Sequence, residues 1–183
     1  MQVAFFFDQS RCLACLSCEV VCKQLHDIPV GPRWRKVYER VVGTFPNVGR
    51  YSLSLSCNHC ESPPCIPACR QGAIFKRAQD GIVLIDAARC DGCQECIDAC
   101  PYRALVVAPD GGIQKCTACV ERVTRGQAPG CVQTCPGRAL HFGSLPEMAG
   151  RRGAERVVGN SQPALFLRSS ELELANYELV ASR

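Results

Sequence analysis

The chain has 183 residues, enough for one compact domain or two small ones, and sixteen of them are cysteine whereas only 7% are aromatic. This composition predicts that metal-bound thiols stabilise the fold, because the free energy of binding a metal becomes free energy of folding. The formal net charge of +4 comes from scattered basic residues and is outweighed once thiols ionise around metal, which argues against a nucleic-acid-binding protein.

The chain begins with a short apolar run, Val3 to Phe7, that ends at Asp8. About five apolar residues are too few for the core of a signal peptide, and no later segment approaches the roughly 18 that a membrane helix needs. We therefore expect no direct membrane span. The sequence leaves two locations open: cytoplasmic, or periplasmic by export together with a signal-bearing partner.

Between the first cysteines and residue 56 the pattern predicts a helix followed by an insertion. The helix covers residues 16–25. The insertion, residues 26–56, contains Pro29 and Pro32 and two alternating, strand-like segments at 37–42 and 51–55. We expect this insertion to provide docking surface for another protein.

The later part of the chain alternates hairpin signals with cysteine-rich loops. Short apolar runs flank Asp80 and Gly81, and again residues 109–112, so both stretches predict a β-hairpin. A second helix is predicted at 117–124. The cysteine-free C-terminal part, with an acidic stretch at 171–178, is expected to be a packing or docking extension rather than a chemical site.

The cysteines fall into four groups of four. The first and third groups have the spacing C-x2-C-x2-C-x3-C of bacterial ferredoxins, and Pro101 follows the third group. The second and fourth groups lengthen the middle spacer, which costs little because loop-closure entropy rises slowly with length. The groups are Cys12, Cys15, Cys18 and Cys22; Cys57, Cys60, Cys65 and Cys69; Cys90, Cys93, Cys96 and Cys100; and Cys116, Cys119, Cys131 and Cys135.

This spacing suits cubane iron–sulfur clusters. Three closely spaced thiolates can surround one cluster, while the fourth cysteine begins a short helix, is turned away and binds the other cluster of a pair. Four groups therefore predict two pairs, that is, four 4Fe–4S clusters. A single three-iron cluster stays open, but no group lacks a cysteine.

Two other uses of the cysteines agree less well with the pattern. A disulfide scaffold needs an oxidising compartment, which nothing in the sequence signals, and bridges within such dense groups would be strained. Structural zinc uses two C-x2-C pairs separated by a longer gap, so the fourth group taken alone would be ambiguous. Beside the other three groups, clusters are the better interpretation.

The chain resembles the iron–sulfur, electron-transfer (beta) subunit of the dimethyl sulfoxide reductase family of molybdopterin oxidoreductases over residues 4–145. The segments that carry the resemblance are Phe6–Asp8 before Arg11 and Cys12, Ser54–Glu61, Asp80–Val83, Cys100–Tyr102, Lys115–Cys116, Cys119 with Glu121–Val123, Cys131–Pro136 and Arg138–Leu140. They are specific for the family but do not identify a member. The chain departs from the family pattern at Arg70, which follows Cys69 in place of the usual proline and is expected to point to solvent.

The resemblance implies how the ligands are shared, because it pairs the first cysteine group with the fourth and the second with the third. The implied ligand sets are Cys12, Cys15, Cys18 and Cys135; Cys22, Cys116, Cys119 and Cys131; Cys57, Cys60, Cys65 and Cys100; and Cys69, Cys90, Cys93 and Cys96.

The fold that follows is α+β, with short antiparallel strands and short helices around four clusters in two ferredoxin-like units. One unit comprises residues 1–50 and 108–145 and holds the first and fourth groups. The other, residues 51–107, is inserted within it and holds the second and third groups. Residues 146–183 form the C-terminal docking extension.

The leading functional hypothesis is a non-catalytic subunit that relays single electrons through four 4Fe–4S clusters. Its implied partners are a molybdopterin (molybdenum or tungsten) catalytic subunit and a quinone-reactive membrane anchor or another redox protein. The alternative is a free soluble polyferredoxin that diffuses between partners. His59, inside a cysteine loop, is expected to make a structural hydrogen bond rather than to bind a cluster.

Overall fold

The computed structural model describes residues 1–168; the acidic stretch at 171–178 lies outside them. The described strands are β1 (Val3–Asp8), β2 (Lys36–Thr44), β3 (Asn47–Leu55), β4 (Ile74–Lys76), β5 (Val83–Ile85), β6 (Leu105–Val107), β7 (Ile113–Lys115), β8 (Leu140–Ser144), β9 (Glu155–Arg156) and β10 (Leu165–Arg168). The described helices are α1 (Ser17–Leu25), α2 (Glu95–Asp98), α3 (Val120–Thr124), α4 (Gly130–Gln133) and α5 (Leu145–Ala149).

The apolar N-terminal run forms β1, an inner strand of a four-stranded sheet with the order β8-β1-β10-β9. All six residues of β1 are buried. Phe5 lies opposite Phe142 of the antiparallel strand β8 and opposite Leu165 of the parallel strand β10. A strand covered on both faces has little need for alternating polar residues, which explains the continuous apolar run.

Strand β10 brings the C-terminal part of the described chain into the centre of this sheet. It runs parallel to β1, and Arg168 donates a hydrogen bond of 3.2 Å to Asp8, 160 positions earlier in the sequence. Met148 of α5 is buried against the same sheet, beside Phe6. Residues 146–168 are thus part of the main packing, and a docking role for the extension stays a prediction.

Three separate hairpins complete the strand pairing. The longest, β2–β3, pairs nine residues on each strand, and β4–β5 and β6–β7 pair three each. Both short hairpins occur where turn residues interrupt apolar runs, as the sequence predicted, and β2–β3 confirms the two strand-like segments of the insertion.

The predicted helices are confirmed, one of them in shortened form. The helix predicted at 16–25 is α1, whereas the one predicted at 117–124 begins only at Val120. Ala118 and Cys119 adopt left-handed conformations, with φ of 52° and 49°, that no α-helix can include. The loop that carries the cysteines therefore displaces the first turn of the helix.

The predicted α+β class, with short strands and few helices, is confirmed, and the division into two ferredoxin-like units stays a prediction. No helix among residues 1–168 is long and apolar enough to cross a bilayer.

Candidate iron–sulfur sites

Two cysteine loops begin with the same local structure. Asp8 and Asp86 each cap a 3₁₀ turn directly before the first cysteine of a group. Each carboxylate accepts a hydrogen bond from the backbone N–H two residues on, at 3.1 and 3.0 Å, which is the usual way for aspartate to fix a turn. Later in each loop Leu16 and Gln94 adopt left-handed conformations immediately before α1 and α2. The first and third groups therefore share one backbone design.

Three cavities are each lined by four cysteines, and we name them as sites. Site I contains Cys12, Cys15, Cys18 and Cys135; site III contains Cys57, Cys60, Cys65 and Cys100; site IV contains Cys69, Cys90, Cys93 and Cys96. Every site combines three cysteines of one group with the last cysteine of another. The structure thus brings together three of the four expected sets.

The remaining four cysteines converge on site II, which comprises Cys22, Cys116, Cys119 and Cys131. Burial raises the pKa of Cys22, the other three thiols raise it further, and the cation of Arg35 opposes them. Helix α4 approaches α1 closely because it begins with Gly130, where a side chain would overlap Leu25. This close packing places Cys131 next to Cys22.

The four sites differ in burial. All four cysteines of site II are buried, and in site III only Cys100 is partly exposed. Site I includes the exposed Cys15, and site IV includes the exposed Cys93. Two of the sites are therefore interior, and the other two reach the surface.

The sites also have an order in space. Cys18 of site I interacts electrostatically with Cys131 of site II, and Cys116 of site II with Cys57 of site III. Cys65 and Cys100 of site III pack in the same apolar cluster as Cys69, Cys90 and Cys96 of site IV. The sequence of neighbours is I, II, III and IV.

Hydrogen-bond donors point at several thiols. The backbone N–H groups of Ala73, Ala118 and Ala139 each donate to a cysteine sulfur at 3.3 Å. Ser54 Oγ lies 3.5 Å from Cys18 Sγ, and His26 Nε2 lies 3.3 Å from Cys119 Sγ; both groups can donate once the sulfur is a thiolate, because a thiolate can only accept. Such donors stabilise negative charge on sulfur.

Thiol acidity follows the burial of the individual cysteine, and burial raises the pKa of Cys96 in site IV to about 11. Burial raises the pKa of Cys65 to about 12 and that of Cys60 to about 11. At the surface, hydrogen bonds with Ser17 lower the pKa of Cys15. Because iron binds thiolate, metal binding at the interior sites must displace protons.

This arrangement fits 4Fe–4S clusters. Each cluster needs four thiolates around a volume rather than around a point, with hydrogen-bond donors at the sulfurs and limited solvent access. Among residues 1–168, no three His, Cys, Asp or Glu side chains converge closely enough to hold a single metal ion. The four cysteines of sites I, III and IV instead line cavities.

Comparison with known proteins agrees with this geometry. The family described as "4Fe-4S dicluster domain" matches residues 48–145. The probable anaerobic dimethyl sulfoxide reductase chain YnfG of Escherichia coli (strain K12) is 40% identical over 176 residues, which cover 91% of this chain and 85% of the relative. The chain belongs to the family of iron–sulfur subunits of dimethyl sulfoxide reductases. The resemblance seen in the sequence is confirmed.

Other relatives of this iron–sulfur subunit serve different enzymes. Thiosulfate reductase electron transfer subunit PhsB of Salmonella typhi is 39% identical over 150 residues, covering 80% of this chain and 78% of the relative. A sulfite dehydrogenase subunit of Allochromatium vinosum is 36% identical over 166 residues, covering 79% of this chain and 69% of the relative. Relatives of this chain thus occur with both reductases and dehydrogenases.

Two buried cations in this iron–sulfur subunit were not recognised from the sequence. Arg35 and Lys115 are each only 3% exposed. Lys115 Nζ donates to the carbonyl oxygens of Val83 and, at 3.0 Å, Cys116. The signal for Lys115 was its position two residues after Ile113 in a short strand, which places both side chains on one face. No comparable signal marks Arg35.

Two residues singled out in the sequence have structural explanations. His59 is buried, and its Nδ1 accepts a hydrogen bond of 3.1 Å from the backbone N–H of Val83, as expected. Burial lowers its pKa well below the ordinary value, so the ring is neutral. Arg70 is 81% exposed and pairs with Glu95 at 2.9 Å, which confirms that it points to solvent.

Proposed function

We propose that this subunit relays single electrons through four 4Fe–4S clusters between a molybdopterin catalytic subunit and a quinone-reactive membrane anchor or another redox partner. The observation that carries the proposal is the gradation of burial along the sites. Sites II and III are interior, whereas sites I and IV each expose one cysteine, Cys15 and Cys93. A relay needs ends that partners can approach and a middle that solvent cannot.

Each site supplies the four thiolate ligands of one cluster. The lining of sites I, III and IV by four cysteines, and the mutual interaction of the four thiols in site II, support this assignment. The last cysteine of every group crosses to a neighbouring site. Cys22 and Cys135 are exchanged between sites II and I, and Cys69 and Cys100 between sites IV and III. This exchange ties distant parts of the chain together.

When bound, each cluster accepts and returns one electron. The protein holds the thiolates at fixed positions and excludes water from the interior pair. The N–H groups of Ala118 and Ala139 and the hydroxyl of Ser54 face sulfurs that become more negative on reduction. Hydrogen bonding of this kind favours the reduced state.

We assign the two exposed ends to different partners, starting from the apolar surface around site I. Leu13 and Leu16, which flank Cys15 at site I, are 65% and 44% exposed, an apolar rim suited to contact with a protein. We assign site I to the catalytic subunit and site IV to the membrane anchor or other partner. The proposed units, residues 1–50 with 108–145 and residues 51–107, then each face one partner, with residues 146–183 as docking extension.

Isolation of the native complex through a tag on this chain tests the proposal. A relay is expected to co-purify in fixed ratio with a large molybdopterin-containing subunit, and the reduced complex to show four cluster signals by electron paramagnetic resonance (EPR). A chain that runs alone under conditions that preserve the clusters would instead be a free polyferredoxin, and the relay proposal would be wrong.

A further inference from the structure

Arg35 carries a buried charge that no carboxylate neutralises. The residue directly precedes β2, and its guanidinium donates to Ser54 Oγ at 3.1 Å and to Ser56 Oγ at 2.9 Å on and just after β3. One face of the guanidinium lies 5.1 Å from the centroid of the Phe5 ring. Among residues 1–168, Arg35 takes part in no ion pair with Asp or Glu, whereas seven other arginine side chains do.

The charged neighbours of Arg35 are cysteines of two sites. Cys18 belongs to site I, and Cys22, Cys116 and Cys131 belong to site II. Ser54 connects the guanidinium to site I directly, because its hydroxyl contacts both Arg35 and Cys18 Sγ. Arg35 is also a hydrogen-bond partner of Cys131. The cation therefore lies between the two sites rather than within either.

Burial of an uncompensated charge costs on the order of several kcal/mol of folding free energy. Serine hydroxyls and an aromatic face solvate the guanidinium but leave its charge in place. A guanidinium is not deprotonated in proteins, so the charge persists despite burial. The compensating negative charge is that of the sulfur ligands in sites I and II.

We propose that Arg35 is a positioning residue that supplies a fixed positive charge shared by sites I and II and raises the reduction potentials of both clusters. This inference rests on the proposed function, because it takes the four cysteines of each site as cluster ligands. A reduced cluster is one unit more negative than an oxidised one, so a nearby cation stabilises the reduced state. Because Arg35 lies between sites I and II, its charge raises the reduction potentials of two neighbouring clusters of the relay.

Potentiometric EPR titration of the holo complex tests the inference with Arg35→Gln, which keeps hydrogen-bonding capacity and removes the charge. The expected result is an equilibrium constant for reduction about tenfold lower, or about 59 mV for a one-electron couple, in two of the four signals. The other two signals are expected to stay unchanged. The matched control is Arg50→Gln, which removes the same charge from an exposed ion pair with Glu39 on the β2–β3 hairpin; all four potentials are expected to stay unchanged.

Arg35→Lys separates charge from shape, since it keeps the cation but loses the planar five-donor group. Four clusters with near-native potentials in this variant are the expected result, even where Arg35→Gln fails to assemble. Two results would overturn the inference. One is unchanged reduction potentials in Arg35→Gln. The other is an Arg35→Lys variant that does not assemble its clusters, or whose reduction potentials are lowered as much as those of Arg35→Gln. Four cluster signals in the native complex would still support the proposed relay if the inference about Arg35 were wrong. Fewer than four signals in the native complex would contradict the relay itself.

Discussion

The interior sites II and III and the surface sites I and IV use the same ligands in opposite environments. In the interior sites every thiol except that of Cys100 is buried, and burial raises the pKa of Cys60 and Cys65. The buried cation of Lys115 lies beside site III, and that of Arg35 lies between sites I and II. At the surface, Cys15 and Cys93 reach solvent. Water can screen cluster charge on the exposed side of sites I and IV, while the protein must supply the countercharge on every buried side, including the side of site I that faces Arg35. Burial, rather than ligand type, thus differentiates the four sites.

The largest expected difference concerns removal of one ligand from each class of site. Cys22→Ser opens the buried site II and leaves three thiols around an incomplete cluster. We expect iron to fall below about twelve of about sixteen atoms per chain, with loss of the complex. The Cys15→Ser variant, changed at the solvent-exposed edge of site I, is expected to keep more than about twelve iron atoms per chain. Iron analysis of both purified variants checks this prediction. Equal losses of iron would show that burial of a site does not determine how strongly its cluster depends on one ligand.

A buried cation is expected to matter more than a partly exposed one with the same contacts. Lys115 and Lys76 each donate to two backbone carbonyls, but only Lys115 is buried. Lys115→Met is expected to lower the free energy of unfolding by about 3 kcal/mol, because it removes a charge and its hydrogen-bond donors from the interior. Lys76→Met should cost about 1 kcal/mol. The readout is the guanidinium midpoint for loss of cluster absorbance, and similar midpoints would contradict the account.

Close helix packing at site II gives a smaller expected effect. A Cβ at Gly130 overlaps Leu25, whereas a Cβ at Gly150 meets its nearest backbone atom at 3.5 Å, an ordinary contact. Because Leu25 is 44% exposed and its methyl group can shift, Gly130→Ala is expected to lower the free energy of unfolding by about 1.5 kcal/mol, near the low end of overpacking costs. Gly150→Ala should change stability by less than about 0.5 kcal/mol. Thermal release of clusters, followed optically, distinguishes them; a neutral Gly130→Ala would show that α1 and α4 can separate without affecting site II.

The smallest expected effect is that of removing the aspartate that caps the turn before each surface site. Asp86→Ala removes the cap of the turn that precedes site IV and is expected to cost about 1 kcal/mol. Asp8→Ala should cost more, because Asp8 is buried and also accepts a hydrogen bond of 3.2 Å from Arg168. The measurement is the rate of iron release to a chelator, faster for Asp8→Ala. Equal rates would mean that the pairing of β1 with β10 does not support site I.

Local features of the fold were predictable because local sequence determines them. Turn residues such as Asp80 and Gly81 between apolar runs predicted β4–β5, and cysteine spacing predicted the loops and α1. The parallel pairing of β1 with β10 was not predictable, since two apolar strands separated by more than 150 residues carry no mark of partnership. The late start of α3 depended on left-handed residues that the cysteine spacing does not reveal.

The candidate sites were foreseen in their ligands but not in their electrostatics. Spacing alone identified sixteen candidate thiols, and the family resemblance supplied their grouping. The burial of Arg35 was missed because the residue stands in the insertion, residues 26–56, which was expected to provide docking surface, and because its neighbours Arg33 and Lys36 are also basic. Only the packing of β2 and β3 against β1 and the site I loop turns that one guanidinium inward.

Iron and acid-labile sulfide analysis of the intact holo complex, combined with a potentiometric EPR titration, tests the central claim most directly. The account predicts about sixteen iron and sixteen sulfide atoms per chain and four one-electron signals. A count near eight, or a metal-replete preparation without colour, would contradict the claim that all four sites hold 4Fe–4S clusters.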